Sequence, residues 1–118
     1  PVQMAAEAAL NGDQSCVETT RKAYERRRDV LCGSFGEAGW QMEKPKATMF
    51  VWAPVPEGYA DSRQFAMELV ERAGVLVTPG SAFGESGEGF VRIALVQDEE
   101  TILEAAEALK RSGMFSGN

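Results

Sequence analysis

The sequence predicts an α/β fold in two layers, in which helices pack on one face of a small, mainly antiparallel sheet of three or more strands. Three short runs are apolar and β-prone, at residues 48–53, 75–77 and 90–95. Four longer segments carry apolar residues at helical spacing. Each apolar helix face needs a surface to cover, and the sheet supplies it. At 118 residues, the chain is long enough for one domain with a single modest core.

Bulk composition narrows the class of partner. The net charge of −6 argues against a nucleic-acid partner, since phosphate binding requires a basic surface. Without a long apolar stretch or a secretory signal pattern, we expect no membrane partner and a cytoplasmic location. Cys16 and Cys32 lie about 24 Å apart on one predicted helix, which excludes a disulfide and fits a reducing compartment. The absence of histidine from the sequence argues against a cysteine nucleophile and a histidine-containing metal site.

Two helices are predicted at the start of the chain. The first covers residues 1–10 and ends at Gly12. The second is capped by Asp13 or Ser15 and runs to about Phe35. Its remaining surface mixes basic and acidic residues, which indicates a solvated face with local ion pairs. Its apolar stripe consists of Cys16, Val17, Ala23, Tyr24, Val30 and Leu31.

The N-terminal segment suggests a connection to something larger. Residues 1–12 are apolar nearly all round, and a short helix of this kind requires burial against a larger surface. We therefore interpret residues 1–118 as one domain and residues 1–12 as the remnant of a connection to a longer chain. The alternative is a small, trimmed protein with an ordinary N-terminal helix.

The middle of the chain predicts a strand, a helix and a second strand. Residues 48–53 form a strand between proline-containing turns. Asp61 or Ser62 caps a helix that stops at Gly74, and residues 75–77 form a short strand. Core packing is predicted for Met49, Phe50 and Trp52 in the strand, and for Phe65, Ala66, Leu69, Val70 and Ala73 in the helix.

A glycine-rich loop and a final helix complete the predicted elements. The loop has neither the Gly-Lys-Ser/Thr of a phosphate-binding loop nor dinucleotide spacing at a helix start, so nucleotide binding is not predicted. Pro79-Gly80 predicts a turn, and the later glycines predict a flexible connector. Asp98 caps the last helix, which ends at Gly113. Its inward residues are predicted to be Ile102, Leu103, Ala106 and Leu109.

Arg92 is the one charged residue in the apolar run 90–95. A charge in such a strand is costly unless it meets an opposite charge. One interpretation is a structural ion pair with Glu85 or Glu88. The other is a binding site, because a guanidinium holds a carboxylate or phosphate through two parallel hydrogen bonds. Strand alternation places Arg92 opposite an apolar face formed by Val91, Ile93 and Leu95.

The sequence around Arg92 resembles a known family. The segment TPGSAFGESGEGFVRIAL, followed by QDEE, is similar to the C-terminal part of class I and II aminotransferases. These are pyridoxal-phosphate enzymes of the aspartate aminotransferase fold, fold type I. The resemblance continues upstream through KPKATMFVWAPVPEGY and, more weakly, AALNGDQSCVETTRKAYERRRDVL, so it covers nearly the whole chain. The subgroup of LL-diaminopimelate and alanine aminotransferases is the most similar.

This resemblance implies roles for three residues. The arginine of the family motif Phe/Tyr–Val/Ile–Arg–Ile/Leu binds the α-carboxylate of the amino-acid substrate, and it falls on Arg92. Ser81 and Phe83 fall near the active-site entrance, which implies contact with substrate. The chain would then be the small C-terminal domain of an enzyme that transfers an amino group between an amino acid and a 2-oxo acid.

The resemblance also implies parts that lie outside this chain. The family's cofactor is pyridoxal 5′-phosphate, held mainly by the large domain through a Schiff-base lysine, an aspartate and a phosphate cup. The matched region contains none of these, so the chain alone is expected to be inactive. Its implied partners are the large domain of the same polypeptide and a second copy in a homodimer.

Two alternatives stay open at this point. The first is a free-standing, non-catalytic α/β module that binds a small carboxylate metabolite through Arg92. Such a module would bury residues 2–10 internally, whereas part of a larger enzyme would leave them exposed or paired with another surface. The second is an oligomerisation domain, which leaves Arg92 without a role.

Overall fold

The structure, a computed structural model, describes residues 1–115 and contains four α-helices and three strands in that range. The helices are α1 (Val2–Asn11), α2 (Ser15–Glu37), α3 (Ser62–Glu68) and α4 (Glu99–Ser112). The strands are β1 (Phe50–Pro54), β2 (Thr78–Pro79) and β3 (Phe90–Ala94). A π-helical turn over Leu69–Ala73 continues α3, and two 3-10 turns, Gly80–Phe83 and Glu85–Gly87, lie between β2 and β3.

The strands form one antiparallel sheet in the order β1–β3–β2, which confirms the predicted small antiparallel sheet. The prediction of a strand at residues 75–77 is wrong, because the chain pairs with β3 only from Thr78 onward. Val75 and Val77 are buried while Leu76 between them is 84% exposed. This segment therefore alternates like a strand without forming ladder hydrogen bonds.

The core lies between one face of the sheet and the helices, as predicted. Val51, Val91 and Ile93 point from the strands into this layer. Trp40, which is 2% exposed, stacks on Phe35 and donates its indole N–H to the carbonyl of Pro54 at 2.9 Å. This one side chain therefore joins the end of α2 to the end of β1.

Aspartate caps define the starts of two helices. Asp61 accepts a hydrogen bond from the backbone N–H of Gln64 at 2.8 Å, and Asp98 accepts one from Thr101 at 2.9 Å. These contacts satisfy backbone donors that the first helical turn leaves free. At α2, Gln14 occupies the cap position without a side-chain cap.

Several residues predicted to pack in the core are exposed instead. Within the described range, the helix α1 has no buried residue, and α2 is buried only toward its C-terminal end. The chain is accordingly elongated, with extents of 55 × 31 × 22 Å. Periodicity identified the apolar stripes but not how far the core reaches along them. The exposed positions include Val17, Trp52, Val70 and Leu103.

The ion-pair network on α2 matches the prediction of a solvated, mixed-charge face. Arg21 contacts Glu18 and Glu25, and Arg28 contacts Asp29. In residues 1–115, no helix combines the length and apolarity needed to cross a bilayer.

Candidate functional site

The face of the sheet opposite the helices carries a cluster of aromatic side chains around Arg92. In the strand register, Arg92 of β3 lies between Trp52 of β1 and Thr78 of β2. Side chains alternate along each strand, so Phe50 and Trp52 share the face of Arg92 while Val51 faces the core. The prediction that Phe50 and Trp52 pack in the core is therefore wrong.

Two phenyl rings contact the guanidinium of Arg92. Its Cζ atom lies 4.0 Å from the ring centroid of Phe50 and 4.4 Å from that of Phe83. Both distances lie within the range of cation–π attraction. Phe83 in turn packs edge-to-face on Trp52, with 5.7 Å between ring centroids. The charge is thus stabilised by aromatic rings rather than by an acid.

The structural ion pair considered for Arg92 does not form. Across residues 1–115, no carboxylate lies within 4.0 Å of its guanidinium nitrogens, and none of them donates a hydrogen bond. Glu88 instead accepts hydrogen bonds from the backbone N–H groups of Gly89 and Ser62, at 2.7 and 2.8 Å. Both contacts lower the pKa of Glu88, and the hydrogen bond from Gly89 has the larger effect.

The loop between β2 and β3 brings Phe83 to Arg92. The later glycines, predicted to form a flexible connector, lie in a loop that folds into two 3-10 turns. The backbones of Gly80 and Gly87 touch, and a Cβ atom on Gly80 would collide with the carbonyl of Gly87. Only glycine permits this close approach. The loop is therefore closed at its base, with Phe83 at its tip.

Ser81 contacts α3, whereas Phe83 contacts Arg92. Its backbone N–H donates to the hydroxyl of Ser62 at 3.3 Å, and the two hydroxyls lie 3.4 Å apart. Ser62 itself is completely buried at the start of α3. Of the two loop residues predicted to contact substrate, the structure brings Phe83 to Arg92 and links Ser81 to α3.

Two cavities adjoin this cluster. The first, about 480 Å³, lies between the helices, the segment after Gly74 and β3, and its lining includes Arg92 and Thr78 together with the core residues Leu31, Phe35 and Ile102. The second, about 370 Å³, is lined by Trp52, Phe83, Ser86, Gly87 and Phe90. A guanidinium whose donors are free has the chemistry of an anion receptor.

Sequence reasoning missed Phe50 and Trp52 as members of this cluster. The available signal was the period of two in the strand at 48–53, which separates Phe50 and Trp52 from Val51 and Ala53. The prediction of core packing treated the run as uniformly apolar and did not separate its two faces. The position of Phe83 over Arg92 had no local signal, because it depends on the folded loop.

The four lysines of the chain lie in or beside the helices α2 and α4. Lys44 pairs with Asp29 of α2 at 3.2 Å, and Lys110 pairs with Glu107 of α4 at 3.5 Å. Lys22 belongs to α2, and Lys46 borders a cavity beside that helix. None of the four contacts the guanidinium of Arg92 or lines the cavity of Trp52, Phe83 and Phe90.

Comparison with known proteins gives a consistent result. The family model for aminotransferase class I and II matches residues 1–109. The chain is 49% identical over 110 residues to LL-diaminopimelate aminotransferase of Moorella thermoacetica, covering 93% of this chain and 28% of that protein. It is 48% identical over 112 residues to glutamate-pyruvate aminotransferase AlaC of Escherichia coli K12, covering 93% and 27%. These relatives confirm the similarity to the LL-diaminopimelate and alanine aminotransferase subgroup.

A solved structure agrees with the fold. The apo structure of BacF from Bacillus subtilis matches with a TM-score of 0.89 and 38% identity, covering 98% of this chain and 30% of BacF. The chain thus spans between about a quarter and a third of the length of the proteins it matches.

Proposed function

The chain belongs to the class I and II aminotransferases, and we propose that it is the small C-terminal domain of a pyridoxal-phosphate enzyme. The proposed reaction transfers an amino group between an amino acid and a 2-oxo acid. The proposed role of this domain is to bind the substrate α-carboxylate through Arg92. The names of the relatives, both aminotransferases, support this assignment.

The observation that carries the proposal is that the N–H donors of the Arg92 guanidinium are free. Arg92 is a half-buried residue, and its guanidinium contacts two aromatic rings and meets no acceptor among residues 1–115. Partial burial of a charge without an acceptor is costly, and a carboxylate ligand would supply both the opposite charge and two hydrogen-bond acceptors. Holding the carboxylate at two points would orient the α-carbon for the transfer, which is catalysis by positioning.

The cofactor belongs to the proposal as well. Pyridoxal phosphate, which the family implies, would supply the electron sink for the transfer. Because Lys44 and Lys110 pair with acids of the helices, and Lys22 and Lys46 lie in and beside α2, we propose that the Schiff-base lysine and the phosphate site belong to a large domain of the same polypeptide. A homodimeric assembly and a cytoplasmic location complete the proposal.

The exposed helix α1 supports a larger polypeptide over a free-standing carboxylate-binding module. Its apolar side chains Val2, Met4 and Leu10 are 82%, 73% and 79% exposed. A self-sufficient module gains stability by burying such residues, whereas a domain of a larger enzyme can bury them against another part of the molecule.

The experiment that tests the proposal uses the protein as its natural source produces it. We expect an intact mass several times that of 118 residues and a yellow colour from the bound cofactor, with absorption in the visible range. A colourless native chain of 118 residues would contradict the proposal and leave Arg92 as the anchor of a carboxylate-binding module.

A further inference from the structure

We infer that Phe50 and Phe83 are positioning residues that set the orientation of the Arg92 guanidinium for the incoming carboxylate; this inference rests on the proposed function. The two rings come from different elements, β1 and the first 3-10 turn after β2. Their centroids lie 4.0 and 4.4 Å from Cζ of Arg92.

The need for positioning follows from the isolation of the arginine. An arginine side chain has several rotatable bonds, and ordering it costs conformational entropy. In proteins, a carboxylate or a carbonyl usually fixes the guanidinium. Here no such acceptor is available to Arg92 among the described residues. The rings of Phe50 and Phe83 are thus the contacts that hold the charged end in place.

An aromatic contact suits this task better than an ion pair. A phenyl ring attracts the cation through its negative face but does not take up a guanidinium N–H in the way that a carboxylate does. The donors stay available for two parallel hydrogen bonds to a ligand. An acid at the same place would order Arg92 and compete with the substrate.

The exposure of Phe83 supports a functional position. Its ring is 46% exposed at the tip of a loop whose base is closed by the contact between Gly80 and Gly87. The bond from Ser62 N–H to Glu88 ties the same loop to α3. The loop thus holds an apolar ring at the surface. The contacts that this ring makes there are those with Arg92 and Trp52.

Phe90 offers a matched control. It is 43% exposed, lies in the same aromatic cluster and contacts Trp52 with 6.4 Å between ring centroids. Among the described residues, however, the guanidinium of Arg92 has ring contacts only with Phe50 and Phe83. Phe90→Leu removes a ring of equal size and similar exposure without removing a contact to Arg92.

The test uses the complete polypeptide that carries this chain, loaded with cofactor. We would prepare Phe50→Leu, Phe83→Leu, Phe83→Tyr, Phe90→Leu and Arg92→Lys. The first readout is the dissociation constant of 2-methylalanine by calorimetry, since this amino acid lacks an α-hydrogen and cannot complete the transfer. The second is KM against kcat with L-alanine and L-glutamate.

We expect the two leucine variants at positions 50 and 83 to raise the dissociation constant and KM about threefold to tenfold, the effect of a lost cation–π contact. Their kcat should change less than about twofold, and Phe83→Tyr should restore binding. Phe90→Leu, which removes no contact to Arg92, should weaken binding less than either of the two leucine variants. Stepwise fluorination of the ring at position 83 tests the same contact without changing its shape. Binding should weaken with each fluorine, because fluorine depletes the negative ring face.

The outcomes separate the inference from the proposed function. If Arg92→Lys weakens binding while Phe50→Leu, Phe83→Leu and the fluorinated rings behave like Phe90→Leu, the positioning role is overturned and the carboxylate role of Arg92 stands. If Arg92→Lys itself binds normally, the proposed function and the inference both fall.

Discussion

The carboxylate of Glu88 accepts a hydrogen bond from the backbone N–H of Ser62 at 2.8 Å, and so connects the loop before β3 to the first turn of α3. The same oxygen accepts a bond from the N–H of Gly89 at 2.7 Å. Both bonds favour the ionised carboxylate, and the pKa of Glu88 is lowered in the folded chain. The link therefore stabilises the fold above the unfolded pKa of about 4.3, and this stabilisation is lost as pH falls through the lower folded pKa.

We predict that Glu88→Gln lowers the thermal midpoint at pH 7 and that the difference from the unmodified protein shrinks below about pH 4. Unfolding followed by circular dichroism between pH 7 and pH 3 measures this. Glu85→Gln, in the same loop, is the control and should leave the midpoint unchanged at pH 7. A difference of constant size at every pH would mean that the ionised form of Glu88 is not what matters.

The close contact between Gly80 and Gly87 predicts opposite effects for two glycine-to-alanine changes. A Cβ atom on Gly80 collides with the carbonyl of Gly87, so Gly80→Ala should lower the free energy of unfolding by about 2 kcal/mol or more. Gly33 lies in α2 with no atom within 4 Å of the new Cβ, so Gly33→Ala should raise it by about 0.5–1 kcal/mol. Urea denaturation measures both. Equal effects of the two changes would rule out the predicted loop closure.

The two tryptophans should differ in their contribution to stability. Trp40→Phe removes a buried ring and the hydrogen bond to the carbonyl of Pro54, and should cost about 2 kcal/mol. Trp52→Phe changes a ring that is 43% exposed and should cost well under about 1 kcal/mol. Chemical denaturation followed by circular dichroism compares them without relying on tryptophan fluorescence. A larger loss for Trp52→Phe would contradict this assignment of core and site.

The helix ends that are marked by capping or stop residues could be predicted from the sequence. Aspartate caps at Asp61 and Asp98 and the stop at Gly74, whose φ is 68°, are decided within a few residues of the chain. Arg92 could be identified as a candidate site residue, because a lone charge in an apolar strand requires an explanation. Each of these features depends on chemistry that is visible in a short window.

The features that were missed depend on contacts between distant segments. The prediction of a short strand at 75–77 was wrong, because strand pairing depends on hydrogen bonding with β3 and not only on the β-propensity of Val75 and Val77. The prediction that Leu103 and Val70 are buried was wrong, because the helical period does not fix the width of the face that the sheet covers. The contact between Phe83 and Arg92 required the folded loop.

The most direct test of the central claim is the steady-state kinetics of Arg92→Lys in the complete, cofactor-loaded enzyme. Lysine keeps the charge and loses the planar fork, so KM for the amino donor should rise by roughly 10- to 100-fold, the value of one charge-assisted pair of hydrogen bonds. Arg26→Lys, an exposed arginine that pairs with Glu99 on the helical side, is the control and should be kinetically normal. Near-normal KM and kcat/KM for Arg92→Lys would contradict the account.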